Sequence, residues 1–140
     1  MDFKYILFNS SCSFFFAVIN FIFSSYPILE LCCDFEYGIY LNNVLIGFVN
    51  DCEIEGTMIE IGYVIHPDYQ GQGYATEAVR KCIDELFRMG YEHIKAGYFQ
   101  ENIASCRVME KCGMCKLDLE EDIEYKGHIH HCLYFGISKR

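Results

Sequence analysis

A chain of 140 residues allows one domain, and its apolar share of 52%, with 12 Phe and 11 Tyr, provides for a substantial core. These values exclude a disordered or low-complexity chain. The formal net charge is −9 and the sequence pI is near 4.9. Nucleic acid is therefore an unfavourable partner, because binding to a phosphate backbone requires a basic face. An acidic protein instead attracts cationic molecules such as amines.

The first 35 residues differ in composition from the rest of the chain. They hold eight of the 12 Phe and only four charged residues. The apolar run 14–23 is interrupted by Asn20 and is shorter than the roughly 20 residues that a membrane-spanning helix requires. We therefore expect residues 1–35 to form an atypical apolar segment packed on the domain, without stable membrane association. An export signal or a membrane anchor is the alternative interpretation.

The nine cysteines do not indicate a disulfide scaffold. Their number is odd, and a chain of this length with a large core does not need covalent links in order to fold. Several of them fall on the apolar stripes of predicted helices, where a free Cys behaves as a small hydrophobic residue. We therefore predict reduced cysteines, most of them in the core, and a cytoplasmic protein.

From residue 36 to residue 140 the sequence predicts one mixed α/β (α+β) domain. Asn42-Asn43 is typical of a hairpin turn, and apolar residues recur every three or four positions before Gly90, which predicts a helix that ends there. The predicted elements are, in chain order, strands 36–41, 44–50 and 57–65, a loop 66–74, a helix 75–89, a strand 93–100, a helix 103–112, and strands 115–122 and 131–138.

The stretch between the third predicted strand and the first helix carries the clearest functional signal. It reads Gln70-Gly71-Gln72-Gly73-Tyr74-Ala75, with two glycines directly before the helix. Glycine leaves backbone N–H groups accessible, and the helix adds the positive end of its dipole and its unpaired first-turn donors. This combination predicts a cradle for a diphosphate, although a plain loop and helix start would show the same residues. A P-loop would need a Lys after Gly73, and a dinucleotide fingerprint would need Gly in place of Thr76.

Two motifs at the expected separation resemble the GNAT N-acetyltransferase superfamily. The segment IGYVIHPDYQGQGYATEAV contains the Q-x-x-G-x-A of that superfamily's motif A and resembles the RimJ/RimL-like branch, which includes the ribosomal-protein N-terminal acetyltransferases. Residues 102–114 are similar to the same branch's N-x-x-S-x-x-x-x-x-K-x-G-(F/M). The resemblance covers residues 36–140. It implies a GNAT-like fold, a mostly antiparallel, twisted, mixed sheet flanked by helices, with acetyl-CoA bound where two central strands splay apart.

The resemblance also implies which residues bind acetyl-CoA. Backbone groups of the third strand would pair with the pantetheine arm, amides of the glycine loop would hold the pyrophosphate, and Asn102 would form a hydrogen bond to the pantetheine. Ser105 would lie near the departing sulfur as a candidate proton donor. The predicted cofactor-binding residues are Val64, Ile65, Gln70, Gly71, Gln72, Gly73, Tyr74, Ala75, Thr76 and Asn102.

Glu60 is the first candidate for the general base of such a reaction. Acetyl transfer from a thioester to an amine needs a group that removes the ammonium proton and a donor that stabilises the developing oxyanion, and it needs no covalent enzyme intermediate. Glu60 lies on the predicted cofactor strand, on the same strand face as Gly62. The alternative is a structural or solvent-facing Glu. Tyr98, His130 and His131 are weaker candidates.

The sequence predicts no metal site. Cys112 and Cys115 form a CxxC, and His and Cys residues at 128–132 would be the other half of a zinc site, but a lone CxxC is weak and its first half overlaps the K-x-G motif. The acidic run 118–124 is typical of a solvated face, and near an acceptor entrance it would attract a cationic amine.

The favoured function is acetyl-CoA-dependent N-acetylation of a primary amine by direct transfer in a ternary complex. The acceptor is a protein N-terminus or a small amine such as an aminoglycoside or a polyamine, and nucleic acid is not expected as a partner. The alternative is a non-catalytic acyl-CoA-binding or sensing module, because residues 1–35 do not show the sequence pattern of the two helices that wall off the acceptor site in similar proteins. A membrane-tethered form is a third interpretation, and the sequence leaves a homodimer open.

Overall fold

The computed structural model describes residues 36–140 and, before them, the short strand Ile6–Leu7. The predictions for the segment 1–35, including the apolar run 14–23, otherwise lie outside the described residues, and the domain boundary at residue 36 stays a prediction. In the part of the chain that is described, no helix is both long and apolar enough to cross a membrane.

The described residues form one sheet of seven strands, in the order β1-β2-β3-β4-β5-β7-β6, with two α-helices. A short 3-10 turn, Pro67–Tyr69, follows β4. The elements are β1 Ile6–Leu7, β2 Glu36–Leu41, β3 Val44–Glu55, β4 Met58–Ile65, α1 Tyr74–Met89, β5 His93–Phe99, α2 Ile103–Lys111, β6 Cys115–Tyr125 and β7 His128–Ser138.

Two-residue turns set the lengths of the hairpins. Asn42 and Asn43 both have positive φ, 50° and 65°, as the turn that suits the twist of a hairpin requires. At the other end of the sheet, positive φ at Lys126 and Gly127 allows β6 and β7 to pair right up to the turn. The last two strands are therefore longer than the predicted 115–122 and 131–138. The third strand of the sheet, β3, also extends beyond the predicted residue 50, to Glu55.

The two central strands of the sheet, β4 and β5, separate from each other along part of their length. All neighbouring strands are antiparallel except β4 and β5, which are parallel and are connected through α1. Only three residue pairs join them, from Met58↔His93 to Glu60↔Lys95. Beyond that point β4 continues beside β3 as far as Ile65, and β5 continues beside β7 as far as Phe99. The prediction of a mixed, mostly antiparallel sheet with two splayed central strands is confirmed.

Both helices pack on one face of the sheet, which we call the helix face. Alternate strand residues point to it, Ile59 and Ile61 from β4 and Ile94 and Ala96 from β5, and all four are at most 2% exposed. The apolar stripe of α1 packs into the same core, as its spacing predicts. The buried residues of α1 are Tyr74, Ala78, Val79, Cys82, Ile83 and Leu86. The opposite face carries Glu60 and Lys95, and we call it the acceptor face because Glu60 is the residue expected to act on the acceptor.

Six cysteines fall within the described residues, and all six are free thiols. Cys82, Cys112 and Cys132 are buried, whereas Cys52 and Cys115 are exposed. Burial raises the pKa of the Cys82 thiol, so this group stays protonated and packs as an apolar side chain. The prediction that most cysteines lie in the core therefore holds for three of the six described cysteines.

Candidate active site

A gap opens between β4 and β5 beyond their last shared residue pair. From Ile61 to Ile65, β4 has a described strand partner, β3, on one side only. Val64 and Ile65, the residues predicted to pair with pantetheine, lie in this segment. An extended ligand can add itself to such a strand edge through main-chain hydrogen bonds. The Gln70 side-chain amide donates to the Ile65 carbonyl oxygen at 2.9 Å and so ties the following loop to the strand end.

The glycine loop and the start of α1 lie directly after β4. Gly71 and Gly73 have φ of +74° and +85°, in the left-handed region that favours glycine, and a Cβ on either would meet no atom within 4 Å. Gly73 is the N-cap of α1 and provides no side-chain cap. The first amide that bonds back to it is that of Glu77, at 3.1 Å. The N–H groups of Ala75 and Thr76 therefore have no acceptor within the helix, which suits an anion.

The second motif lies at the start of α2, which follows the C-terminal end of β5. Asn102 is the N-cap of α2, and its Oδ1 accepts a hydrogen bond from the Ser105 amide at 3.2 Å. This cap uses the carbonyl oxygen of the side chain, so the side-chain NH₂ group can still donate to a ligand. Because β4 and β5 are parallel, their C-terminal ends bring both motifs to one edge of the sheet, where α/β sheets commonly bind ligands.

A direct contact across the gap joins the two motifs. Tyr63 of β4 points to the helix face, and its Oη lies 2.9 Å from Ser105 Oγ and donates to the Ser105 carbonyl oxygen at 3.1 Å. Burial raises the pKa of Tyr63 to about 12, so its hydroxyl keeps its proton near neutral pH. Sequence reasoning missed Tyr63. The signal available was an aromatic hydroxyl three residues after Glu60 on the predicted cofactor strand.

The acceptor face of the gap holds a group of charged side chains. Lys95 Nζ lies 3.2 Å from Glu60 Oε2 and 3.1 Å from Glu53 Oε2. Burial raises the pKa of the Glu60 carboxyl above its usual value, the ammonium of Lys95 opposes that rise, and the carboxylates of Glu53 and Glu121 add to it. A carboxylate with a raised pKa is suited to accept a proton near neutral pH.

Tyr134 and Glu121 extend this group on the same face. The Tyr134 hydroxyl donates a hydrogen bond to Glu121 Oε1, and Lys95 Nζ lies 5.6 Å from the centre of the Tyr134 ring. Burial, together with the bond to Glu121, raises the pKa of Tyr134. The acidic run 118–124 forms most of β6 and is largely exposed. Glu121, within this run and also exposed, is paired with Cys132 of β7 and accepts the hydrogen bond from Tyr134.

The weaker base candidates are placed elsewhere or already engaged. Tyr98 lies on the helix face, 9% exposed, with its ring centre 5.8 Å from that of Phe135. His130 stacks on Phe99 and contacts the Glu101 carboxylate. The imidazole of His131 lies 2.8 Å from Asp122 and 2.9 Å from Glu120, and the hydrogen bond to Asp122, followed by that to Glu120, raises the pKa of His131. Glu60 lies on the acceptor face at the opening of the gap, and Ser105 contacts Tyr63 on the helix face.

The two cysteines of the CxxC motif, Cys112 and Cys115, lie in different environments. Cys112 is buried and its thiol donates to the Thr76 carbonyl oxygen at 3.5 Å, whereas Cys115 is exposed. Within residues 36–140, no three His, Cys, Asp or Glu side chains are grouped so that they could hold a metal ion. The expectation of a protein without a metal stays a prediction.

Comparison with known proteins gives the family. The sequence model of the acetyltransferase (GNAT) domain matches residues 20–115. The chain belongs to the GNAT acetyltransferase family. The acetyltransferase assignment made from the two motifs is thereby confirmed at the level of the family.

Individual GNAT proteins resemble this chain over different lengths. An uncharacterized N-acetyltransferase of Bacillus subtilis, YnaD, is 46% identical over 56 residues, which are 39% of this chain and 33% of YnaD. A solved GNAT-family acetyltransferase from Bacillus anthracis is 30% identical with a TM-score of 0.67, over 74% of this chain and 65% of that protein. A solved Bacillus subtilis acetyltransferase in complex with CoA has the same fold, with a TM-score of 0.76 at 16% identity, over 99% of this chain and all (100%) of that protein. The match to the curated relative thus spans a third of its length.

Proposed function

We propose that this GNAT protein transfers the acetyl group of acetyl-CoA to a primary amine, by direct transfer in a ternary complex. The observation that carries the proposal is the parting of β4 and β5 after Glu60↔Lys95, at the end of the sheet where the glycine loop and the start of α2 also lie. A strand edge for pantetheine, an amide-lined helix start for a diphosphate and a carboxylate on the acceptor face are the three parts that this reaction needs.

The two faces of the gap suit the two substrates. Ser105 and Tyr63 lie toward the helix face, from which the CoA arm would enter, and Glu60 lies toward the acceptor face. Acetyl-CoA supplies an activated thioester. Glu60, directly or through a water, removes a proton from the acceptor ammonium, and the free amine then attacks the thioester carbonyl while a β4 backbone amide stabilises the oxyanion. As the C–S bond breaks, the nitrogen of the adduct loses its second proton to solvent and the Ser105 hydroxyl gives a proton to the departing thiolate. Ser105 is re-protonated from solvent and Glu60 releases its proton there, so that the products are an amide, a thiol and one proton.

The finer assignments are supported by sequence motifs. The N-x-x-S and K-x-G pattern at Asn102, Ser105 and Lys111 resembles the RimJ/RimL-like branch, and a protein N-terminus is the acceptor that this resemblance favours. A small cationic amine is the alternative acceptor, and the carboxylates of Glu53, Glu60 and Glu121 on the acceptor face support it. A cytoplasmic location agrees with the six free thiols among the described residues.

A pair of glycine variants tests the CoA site. Gly73→Asp places a carboxylate where the diphosphate would lie, and Asp tolerates both a positive φ and an N-cap position, so the variant is expected to fold. We expect CoA affinity, measured by calorimetry, to fall about tenfold or more through like-charge repulsion. Gly127→Asp is the matched control, since Gly127 also has positive φ (+75°) and open space around its Cβ position but lies in the β6–β7 turn. A folded Gly73→Asp protein with unchanged CoA affinity would contradict the assignment.

An acceptor panel tests the transfer itself. The purified protein is incubated with acetyl-CoA and a peptide N-terminus, a polyamine or an aminoglycoside, and the acetylated acceptor is detected by mass. Thiol reagents are less suitable as a readout, because Cys52 and Cys115 are exposed thiols that consume them. Saturable CoA binding without any acetylated amine would favour the alternative, a non-catalytic acyl-CoA-binding module with an incomplete acceptor site.

A further inference from the structure

Lys95 occupies a defined position beside the gap. It is paired with Glu60 in the last residue pair that joins β4 to β5, and Glu53 of β3 is paired with Glu60 from the other side. The three side chains therefore stand in one row across three strands, on the acceptor face. One ammonium group bridges two carboxylates, at 3.1 Å from Glu53 Oε2 and 3.2 Å from Glu60 Oε2.

Burial makes this row more than a surface ion pair. The Lys95 and Glu60 side chains are only 19% and 16% exposed, whereas Glu53 is 56% exposed. Exposed ion pairs contribute little because water screens them, but a largely buried carboxylate depends on its partner to remain ionised. The bond to Lys95 uses Glu60 Oε2, which leaves Oε1 to accept a proton from an acceptor in the gap.

The groups that face Glu60 act on it in opposite directions. Burial raises the pKa of Glu60 most, the hydrogen bond and charge of Lys95 lower that pKa, and the charges of Glu53 and Glu121 raise it. Tyr134 and Cys132 of β7 also lie on this face, and burial keeps both in their neutral, protonated form near neutral pH. Lys95 is the one cation among the described groups that act on Glu60.

We propose that Lys95 is a positioning residue for acyl transfer, which holds Glu60 as an oriented carboxylate at the opening of the gap, while Glu53 competes for the same ammonium. The inference rests on the proposed function and deepens it. Lys95 does not touch the reacting atoms: it acts through Glu60. Glu53 opposes it, because a second carboxylate draws the ammonium away from Glu60 and adds negative charge near it.

Two substitutions with opposite expected effects test this role. In Lys95→Met the acid limb of the kcat/KM profile, measured with one common amine, moves to higher pH by about one unit, so turnover on that limb falls about tenfold. In Glu53→Gln the limb moves to lower pH, because a charge that disfavours ionised Glu60 is gone. Lys95→Arg keeps a cation on both carboxylates and leaves the limb in place. Lys116→Met is the matched control, since it breaks an exposed Lys–Glu ion pair on β6.

A second readout does not depend on turnover. The titration of the Glu60 carboxyl carbon, assigned by comparison with Glu60→Gln, is followed by NMR in the wild type, Lys95→Met and Glu53→Gln. Movement upward in the first variant and downward in the second supports the proposal. Unchanged titration in Lys95→Met, or movement of both variants in one direction, overturns it.

The two readouts together separate this proposal from the proposed function. Acetylation that proceeds with an unmoved acid limb overturns the role of Lys95 and leaves the N-acetyltransferase assignment standing. Opposite shifts of the Glu60 titration in a protein that acetylates no amine overturn the proposed function, while the coupling of Lys95 to Glu60 stands.

Discussion

Tyr63 shows how a single hydroxyl can join the two halves of the site. It has one proton, which it donates to the Ser105 carbonyl oxygen, and its Oη lies within hydrogen-bond distance of Ser105 Oγ. The Ser105 hydroxyl can then donate to Tyr63 in the resting protein and rotate toward a leaving thiolate during transfer. Tyr63 therefore sets the orientation of the proposed proton donor without having to ionise.

Tyr63→Phe is expected to lower kcat about twofold to tenfold, which corresponds to the loss of one hydrogen bond, while the KM for acetyl-CoA changes little. The measurement is steady-state kinetics alongside thermal unfolding. Tyr91→Phe is the control, because Tyr91 packs against the core just before β5, whereas Ser105 lies in α2, which follows the other end of β5. An unchanged kcat in Tyr63→Phe, or an equal loss in the control, would remove Tyr63 from the mechanism.

At the scale of the element, features that neighbouring residues determine can be predicted from the sequence, whereas contacts that depend on strand register cannot. The order of the elements, the turns at Asn42-Asn43 and Lys126-Gly127 and the glycine loop follow from neighbouring residues, and they are predictable. The contacts Tyr63–Ser105 and Glu60–Lys95 depend on how β4 lies against β5, which are 27 residues apart in the chain. No local pattern fixes a parallel register, so the bridging lysine and the aromatic hydroxyl appear only in the structure.

Asn102 at the start of α2 caps the helix and is also proposed to contact CoA, and two variants of Asn102 separate the cap from the proposed contact. Asn102→Ala removes the cap on Ser105 N–H, and we expect a loss of about 1 kcal/mol in the free energy of unfolding together with weaker CoA binding. Asn102→Asp retains the capping oxygen and loses the side-chain donor, so stability stays near wild type while CoA binding weakens. Denaturant unfolding and calorimetry measure the two effects. Equal CoA affinity in wild type and Asn102→Asp would show that the side-chain amide does not contact the ligand.

At the scale of the whole molecule, the net charge of −9 acts on both proposed substrates, with opposite sign. CoA carries phosphate groups and is repelled at long range, so its binding depends on short-range donors at the glycine loop and the start of α1. A cationic amine is attracted by the same field and by the carboxylates of β6. Salt screens these long-range terms, since the Debye length falls from about 10 Å at 0.1 M to about 3 Å at 1 M ionic strength.

Raising the ionic strength is therefore expected to change the two affinities in opposite directions. The KM for a polyamine or a basic peptide should rise several-fold between about 0.05 and 0.5 M salt, whereas the Kd for CoA should stay constant or fall. The control is an acceptor with a single amino group and no other charged group. Its KM should respond less to salt than the KM of the polycation. If the KM for the polycation does not depend on salt, the net charge and the carboxylates of β6 do not guide the acceptor, and contacts within the gap alone determine which amine is bound.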